Sequence, residues 1–178
     1  MSTVYMTATS VDGFIADENL SLDWLFAAEG GEAEKETEEF VASAGALLMG
    51  ATTYEWVMRN EKPEKWPYAA PTWVLTHREL PHVEGDVRFA SADTDEELRE
   101  LHRTLVETAD GRDVWLVGGG QIAADLARLS LLDIVEVSLA PVTLGAGAPL
   151  LAGRVDLRPV KVVRAGDFAL LRYEVVKD

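Results

Sequence analysis

Three consecutive glycines, Gly118, Gly119 and Gly120, join two segments with different periodicities. Residues 114–117 are a short apolar run of β-forming residues, and residues 121–129 carry apolar side chains at helical spacing. Glycine permits a positive φ and lets a ligand approach the main chain closely. The free N–H groups at the start of a helix attract an anion, and the helix dipole assists them. The stretch therefore predicts a phosphate-binding turn between a strand and a helix.

The triple glycine does not match either of two common nucleotide-binding motifs. No Lys-Ser/Thr follows it, as a P-loop requires, and Ala123 stands where GxGxxG has its third glycine. A tight turn without any ligand is the alternative interpretation. Residues 45–50 and 52–58 repeat the arrangement of strand, glycine and helix, with a threonine expected to cap the helix. This second junction predicts a second phosphate contact.

Composition limits the classes of function. A chain of 178 residues fits one domain with its own core, and the absence of cysteine excludes disulfides and thiolate metal sites. His77, His82 and His102 have no ligand-like spacing, so no metal site is expected. The net charge of −15 argues against a nucleic-acid partner. No signal peptide and no long apolar run is present, which favours a cytoplasmic protein without a membrane partner.

Strands and helices are predicted to alternate along the chain. A capping box, Thr94-Asp-Glu-Glu97, predicts the start of one helix. Helices are expected over residues 32–44, 52–58, 94–108 and 121–129. Strands are expected over residues 3–10, 45–50, 72–76, 87–90, 114–117, 134–140, 160–164 and 168–176. This order predicts an α/β fold with a mainly parallel sheet and a C-terminal antiparallel hairpin.

Several of these segments together resemble a known superfamily. The sequences SVDGFIA (10–16), MGATTYE (49–55), VLTHR (74–78) and VGGG (117–120) occur in the order typical of dihydrofolate reductase-like proteins. LLD (131–133), AP (140–141) and LGAG (144–147) resemble the C-terminal domains of bacterial bifunctional deaminase–reductases, whose best-known members are riboflavin-biosynthesis reductases. The resemblance covers nearly the whole chain. It implies one domain over residues 1–178, a three-layer fold with helices on both faces of the sheet.

The resemblance also implies positions for a nicotinamide cofactor. Two residues would hold the nicotinamide through backbone contacts: Ala8 and Ile15. The pyrophosphate would contact one helix start at Gly50 and Thr53. The second helix start would wrap the pyrophosphate and the nicotinamide side through Gly118, Gly119, Gly120, Gln121 and Ile122. The 2′-phosphate of NADPH, the cofactor that the family prefers, would be surrounded by Thr76, His77 and Arg78.

Two positions depart from the family pattern. Ala51 replaces the arginine that usually follows Gly50, and losing such a charge-assisted hydrogen bond costs about 1.5–3 kcal/mol. NADH is therefore a possible cofactor beside NADPH. Ile134 stands where riboflavin reductases have a glutamate, which favours a substrate other than the riboflavin intermediate.

Two aspartates are candidates for the catalytic carboxylate. Asp12, in the motif shared with the riboflavin reductases, is expected to bind substrate or relay a proton. Asp23, between Leu22 and Trp24, is the second candidate. For both, the alternative is an aspartate that forms a turn or caps a helix.

Three functions are compatible with these observations. The first is an NADPH-dependent reductase that transfers hydride to a small heterocycle, pteridine-like or ribitylamino-pyrimidine-like. The second is a nucleotide-binding protein of the same fold without that turnover. A scaffold protein is the third, and it is disfavoured because glycines at strand ends cost stability when no ligand requires them. A homodimer is expected, since relatives often dimerise and the segment 168–176 is predicted to be an exposed edge strand.

Overall fold

The computed structural model describes residues 1–177, apart from the side chains of residues 32–34. The helices in this part of the chain are α1 (Asp23–Phe26), α2 (Glu32–Ser43), α3 (Ala51–Asn60), α4 (Asp95–Ala109) and α5 (Gly120–Arg128). The strands are β1 (Thr3–Thr9), β2 (Phe14–Ala16), β3 (Ala46–Gly50), β4 (Thr72–Leu75), β5 (Val87–Ala90), β6 (Val114–Gly118), β7 (Ile134–Leu139), β8 (Ala148–Pro149), β9 (Leu157–Ala165) and β10 (Phe168–Val175). None of these helices is long and apolar enough to cross a membrane.

Eight of the strands form one sheet in the order β5-β4-β3-β6-β1-β7-β10-β9. Neighbours from β5 to β7 run parallel, and β10 is antiparallel to both β7 and β9. The predicted parallel sheet and C-terminal hairpin are confirmed. The predicted edge is wrong: β10 lies between two strands, and β9 is the last strand of the described sheet.

Helices cover the sheet on both faces because each central strand is apolar on both sides. Leu48 and Leu116 pack with α4 and α5, through side chains that include Leu101 and Leu126. On the other face, the Leu47 cluster includes Phe40 of α2, and a neighbouring cluster contains Tyr54 and Val57 of α3. Adjacent residues of β3 thus point to opposite layers, as pleating requires. This arrangement brings the starts of α3 and α5 to the same edge of the sheet.

The helix starts differ from one another. Thr94 caps α4 as predicted, because its side chain accepts from the N–H of Glu97 and Glu97 returns a bond to the Thr94 backbone. The predicted threonine cap of α3 is wrong. Gly50 is the N-cap, with an extended φ of −83° and ψ of 164°, so Thr52 already lies inside the helix. The α5 helix also starts from a glycine, Gly119.

Three short elements are absent from the sequence prediction: the helix α1 and the strands β2 and β8. Asp12 and Gly13 form a turn, but the strand that follows, β2, pairs with β8 instead of folding back on β1 as a hairpin. The glycine loop 144–151 supplies β8, and its Gly147 has a φ of +148°. A side chain at Gly147 would place its Cβ 2.0 Å from the carbonyl oxygen of Ala16. This close approach closes one wall of the site.

Candidate functional site

A cavity of about 450 Å³ opens where β1 and β6 end and where α3 and α5 begin. Thr7 of β1 and Val117 of β6 lie at its base, and Trp56 of α3 forms one wall. Ala148 and Pro149 of β8 lie opposite, beside Ala16 of β2. Such a volume suits a small ligand or part of a cofactor. The carboxyl ends of parallel strands are the usual place for ligands in open α/β sheets.

Two helix starts face this cavity without a side-chain cap. Thr52 and Thr53 of α3, and Gly119, Gly120 and Gln121 around the start of α5, are among the lining residues. Neither helix has an acidic residue in its first turn. The first N–H groups of each helix lack intrahelical partners, and the helix dipole makes this end positive. The arrangement fits the anionic pyrophosphate of a dinucleotide.

The structure requires glycine at these three positions for reasons that do not involve a ligand. A Cβ at Gly120 would lie 2.2 Å from the carbonyl oxygen of Pro149, and one at Gly118 would lie 2.8 Å from Oγ1 of Thr53. Gly119 has a φ of +113°. Close packing and backbone conformation therefore account for all three. The glycines alone do not argue against a scaffold, and the case for a ligand depends on the uncapped helix starts.

The structure brings most of the predicted pyrophosphate and nicotinamide residues together. Those that line the cavity are Ile15, Thr53, Gly118, Gly119, Gly120 and Gln121. Two others border it, since Cδ1 of Ile122 lies 3.4 Å from a Cβ built at Gly50 and 3.3 Å from one built at Gly119. Ala8 follows the lining residue Thr7 on β1 and is half-buried.

The residues predicted to bind the 2′-phosphate lie outside the cavity lining, and each already has a hydrogen-bonding or ionic partner. The Arg78 guanidinium donates to both carboxylate oxygens of Glu55, at 3.0 and 2.8 Å. Nε2 of His77 lies 3.1 Å from Oδ1 of Asp93. The hydroxyl of Thr76 accepts from the Arg78 backbone N–H at 3.0 Å. A 2′-phosphate would have to compete with Glu55 for Arg78.

Asp12 holds two loops together. Its carboxylate accepts from the Ser10 hydroxyl at 2.6 Å and from the backbone N–H groups of Leu144 and Gly145, the latter at 2.7 Å. The Ser10 hydroxyl and these N–H groups lower the pKa of Asp12 from 3.8 to about 2. Asp12 is therefore ionised at neutral pH, in the form that cannot give up a proton.

Asp23 lies at the first position of α1, and its side chain is exposed. Its backbone N–H donates to the Ser21 hydroxyl at 3.1 Å. It does not line the cavity, although the neighbouring Leu22 does. The predicted catalytic role has no geometric support at this position.

Sequence reasoning missed the apolar side of the site. Trp56 lines the cavity and stacks against Phe26 of α1, with ring centroids 6.4 Å apart and an angle of 21° between the planes. Leu20 and Leu22 line the same side. Trp56 follows Thr53 by three residues, so helical spacing could have placed both on one face of α3. The leucines carry no such signal, because they lie in an irregular segment.

The family comparison agrees with this geometry. A family model described as the RibD C-terminal domain matches residues 2–169. The chain belongs to the RibD C-terminal domain family. The resemblance to the C-terminal domains of deaminase–reductases is confirmed across nearly the whole chain.

Three RibD-like or related proteins are similar to this member of the family. The uncharacterized protein YwjB of Bacillus subtilis (strain 168) is 28% identical over 175 residues, which cover 96% of each chain. A Thermotoga maritima protein named as a diaminohydroxyphosphoribosylaminopyrimidine deaminase/5-amino-6-(5-phosphoribosylamino)uracil reductase has a TM-score of 0.67 at 16% identity, covering 98% of this chain and 56% of that one. The dihydrofolate reductase of Enterococcus faecalis, complexed with NADP(H), has a TM-score of 0.60 at 16% identity, covering 99% and 97%. The predicted dihydrofolate reductase-like fold is confirmed.

Proposed function

We propose that this RibD C-terminal domain protein is a reductase that transfers hydride from NADPH to a small heterocycle of the pteridine or ribitylamino-pyrimidine type. The observation that carries the proposal is the cavity onto which two uncapped helix starts converge. Family membership supports the reaction class, because the T. maritima relative in fold is named as a reductase and the E. faecalis relative is complexed with NADP(H).

The backbone of the site would bind and orient the cofactor. Thr53 and the N–H groups around Gly119 and Gly120 would hold the pyrophosphate, and Ile15 with Ala8 would hold the nicotinamide. The cofactor, when bound, supplies the hydride, and the protein supplies orientation and a dry surface. Trp56, Leu20 and Leu22 would exclude water from the reacting face. The lining offers hydroxyl and amide groups but no acid, so we assign the proton to a water molecule at the open mouth.

We propose NADPH as the physiological cofactor, with NADH also accepted. Ala51 supplies no cation, so the preference depends on Arg78 and His77. The pairing of Arg78 with Glu55 lowers the local positive charge available to a 2′-phosphate, and the His77 ring already has Asp93 as a partner. Because Arg78 and Glu55 are both partly exposed, with side-chain exposures of 57% and 35%, this ion pair is weak enough to be exchanged.

Cofactor oxidation in the presence of candidate acceptors tests the proposal. A dihydropterin, dihydrofolate and a ribosylaminouracil, which still carries the sugar carbon that a hydride can reduce, would be offered with NADPH, and loss of nicotinamide absorbance would be followed together with the reduced product. Oxidation that depends on one acceptor supports the reductase. Binding of NADPH without turnover on any acceptor favours the alternative, a nucleotide-binding protein that has lost this reaction.

We propose in addition that the chain forms a homodimer through β9. Three valines of this strand are exposed: Val160 at 54%, Val162 at 68% and Val163 at 40%. β9 pairs only with β10 in the described sheet, so its outer edge can accept a second strand. Sedimentation velocity tests this: Val162→Lys should convert the dimer to monomer, and a monomeric wild-type chain would contradict the proposal.

A further inference from the structure

The walls of the cavity carry no charge. Among the described residues that line it, none has an acidic or basic side chain. The polar side chains are the hydroxyls of Thr7, Thr52 and Thr53 and the amide of Gln121. The helix starts can attract the cofactor's pyrophosphate. The rest of the lining has no charged side chain that could pair with a second anion.

We propose that the substrate is a neutral, planar ring without a phosphate or carboxylate, held against the indole of Trp56. This inference rests on the proposed function and names the chemistry of its substrate. Placing an ionised group against an uncharged apolar wall without a partner is strongly unfavourable. The net charge of −15 adds an unfavourable long-range field for any anionic substrate.

Trp56 provides the surface on which such a ring can stack. Its indole is half-buried, lines the cavity and has the Phe26 ring stacked at 6.4 Å. Phe26 is 67% exposed and Leu20 is 40% exposed, so the mouth has an apolar rim on the Trp56 side. Aromatic rings favour offset stacking over contact with water. A planar heterocycle would extend this stack, and the neighbouring hydroxyl and amide groups would recognise its carbonyl and N–H edge.

The proposed substrate differs from the one named for the T. maritima relative in fold. The T. maritima reductase is named for a phosphoribosylamino-uracil, which carries a phosphate. A phosphate on a substrate in this cavity would find hydroxyls and an amide but no lysine or arginine. Ile134 does not support this inference, contrary to the sequence-based expectation, because it is buried beside Val4 at the start of β1 and β7, away from the strand ends that form the cavity.

Matched ligand pairs test the inference on the native protein saturated with NADPH. The first pair is 5-amino-6-ribitylaminouracil and its 5′-phosphate, and the second is pterin and folate, whose glutamate tail is anionic. We expect at least one neutral member to bind more than about tenfold tighter than its anionic partner in isothermal titration. Equal or tighter binding of the anionic members, or failure of both neutral members to bind, would overturn the proposal.

Two variants test the role of Trp56. Trp56→Leu should weaken the neutral ligand by about three- to tenfold, whereas Trp56→Phe, which keeps an aromatic face, should retain affinity within about threefold. Quenching of Trp fluorescence by the ligand should decrease in both variants, because the indole is absent. Equal affinity of Trp56→Leu and wild type would exclude the stack.

Failure of the proposed substrate class can be distinguished from failure of the proposed reductase function. Thermal stabilisation by NADPH alone, measured on the same samples, reports the cofactor site. A retained NADPH shift with no preference for neutral ligands rejects only the substrate class. A missing shift with both NADPH and NADH rejects the reductase itself.

Discussion

The helices α3, α4 and α5 each follow a parallel strand and begin at the carboxyl edge of the sheet, and their first turns are built in two different ways. The α4 helix has a complete capping box between Thr94 and Glu97 and three acidic residues in its first turn. The α3 and α5 helices begin at glycines, with no side-chain cap and no acid. Ala51 occupies the first position of α3, and Asp95 occupies that of α4.

The difference shows what each helix start is suited to bind. In α4, side chains satisfy the free N–H groups and carboxylates balance the positive end of the dipole. In α3 and α5 the same groups are left for an external anion, and both helices place them around one cavity. A capped helix start needs no ligand to satisfy its N–H groups, whereas an uncapped pair gains stability when a ligand binds.

The largest effect is expected from blocking one uncapped start. In Gly120→Ala the new Cβ would lie 2.2 Å from the Pro149 carbonyl oxygen, so β8 must move. Overpacking of this kind costs about 1–3 kcal/mol of unfolding free energy. Urea denaturation should show this loss, and NADPH should no longer raise Tm. Gly45→Ala is the control, because its Cβ would lie 2.4 Å from the carbonyl oxygen of Ala109, outside the cavity lining, so this variant should lose stability and keep the Tm increase with NADPH.

Changing the charge at the other uncapped start should alter cofactor affinity in both directions. Ala51→Asp copies the first position of α4 and should stabilise the free protein by about 0.3–1 kcal/mol while weakening NADPH binding. Ala51→Arg restores the family arginine and should tighten NADPH binding by about tenfold or more. Isothermal titration measures both. Unchanged affinity in both variants would show that α3 does not contact the cofactor.

Removing the cap of α4 should affect stability alone. Thr94→Ala should lower the unfolding free energy by about 1 kcal/mol, because the N–H of Glu97 loses its acceptor. The Tm increase produced by NADPH should stay the same as in wild type. A smaller increase would mean that α4 also contributes to the cofactor site.

Cofactor preference should respond to the ion pair between Arg78 and Glu55. Arg78→Ala should abolish the preference for NADPH over NADH. Glu55→Gln should increase that preference by several-fold, because the guanidinium no longer shares its donors with a carboxylate. The ratio of the two dissociation constants is the measurement. A preference that survives in Arg78→Ala would exclude Arg78 as the phosphate ligand.

The smallest effect concerns Asp12 and depends on pH. Its lowered pKa means that the folded state favours the carboxylate, so its contribution is complete above pH 3.8 and disappears as the pH falls through about 2. Asp12→Asn should therefore have a lower Tm than wild type at neutral pH. The difference should shrink between pH 3.8 and about 2. A Tm difference that is independent of pH would contradict this account.

Local signals predicted most of the fold. Short continuous apolar runs predicted the central strands, and the Thr94 capping box predicted the start of α4 within one residue. The triple glycine placed α5, because a turn that connects a strand directly to a helix leaves few alternatives. Most of the predicted pyrophosphate and nicotinamide residues lie around one cavity, because parallel strands end at one edge of the sheet, whereas Thr76, His77 and Arg78 lie outside its lining.

Long-range pairing limited the rest of the prediction. The pairing of β2 with β8 joins segments more than 130 residues apart. The position of β9 outside β10 depends on the order of strands in the sheet. Local sequence patterns encode neither. The ion pair between Arg78 and Glu55 joins residues that are 23 positions apart, one in α3 and one in the loop after β4. Trp56 became a site residue only when the segment that contains Leu20 and Phe26 was placed beside α3.

The most direct test of the central claim is a thermal titration of the purified protein with NADPH and, in parallel, with NADH. Stabilisation rises as RT ln(1 + [L]/Kd), about 2.7 kcal/mol when the ligand is at 100 times Kd. If the two uncapped helix starts bind a dinucleotide, we expect a saturable increase in Tm with NADPH and a smaller increase with NADH at equal concentration. No increase with either nucleotide would contradict it, because the two uncapped helix starts would then have no dinucleotide to bind.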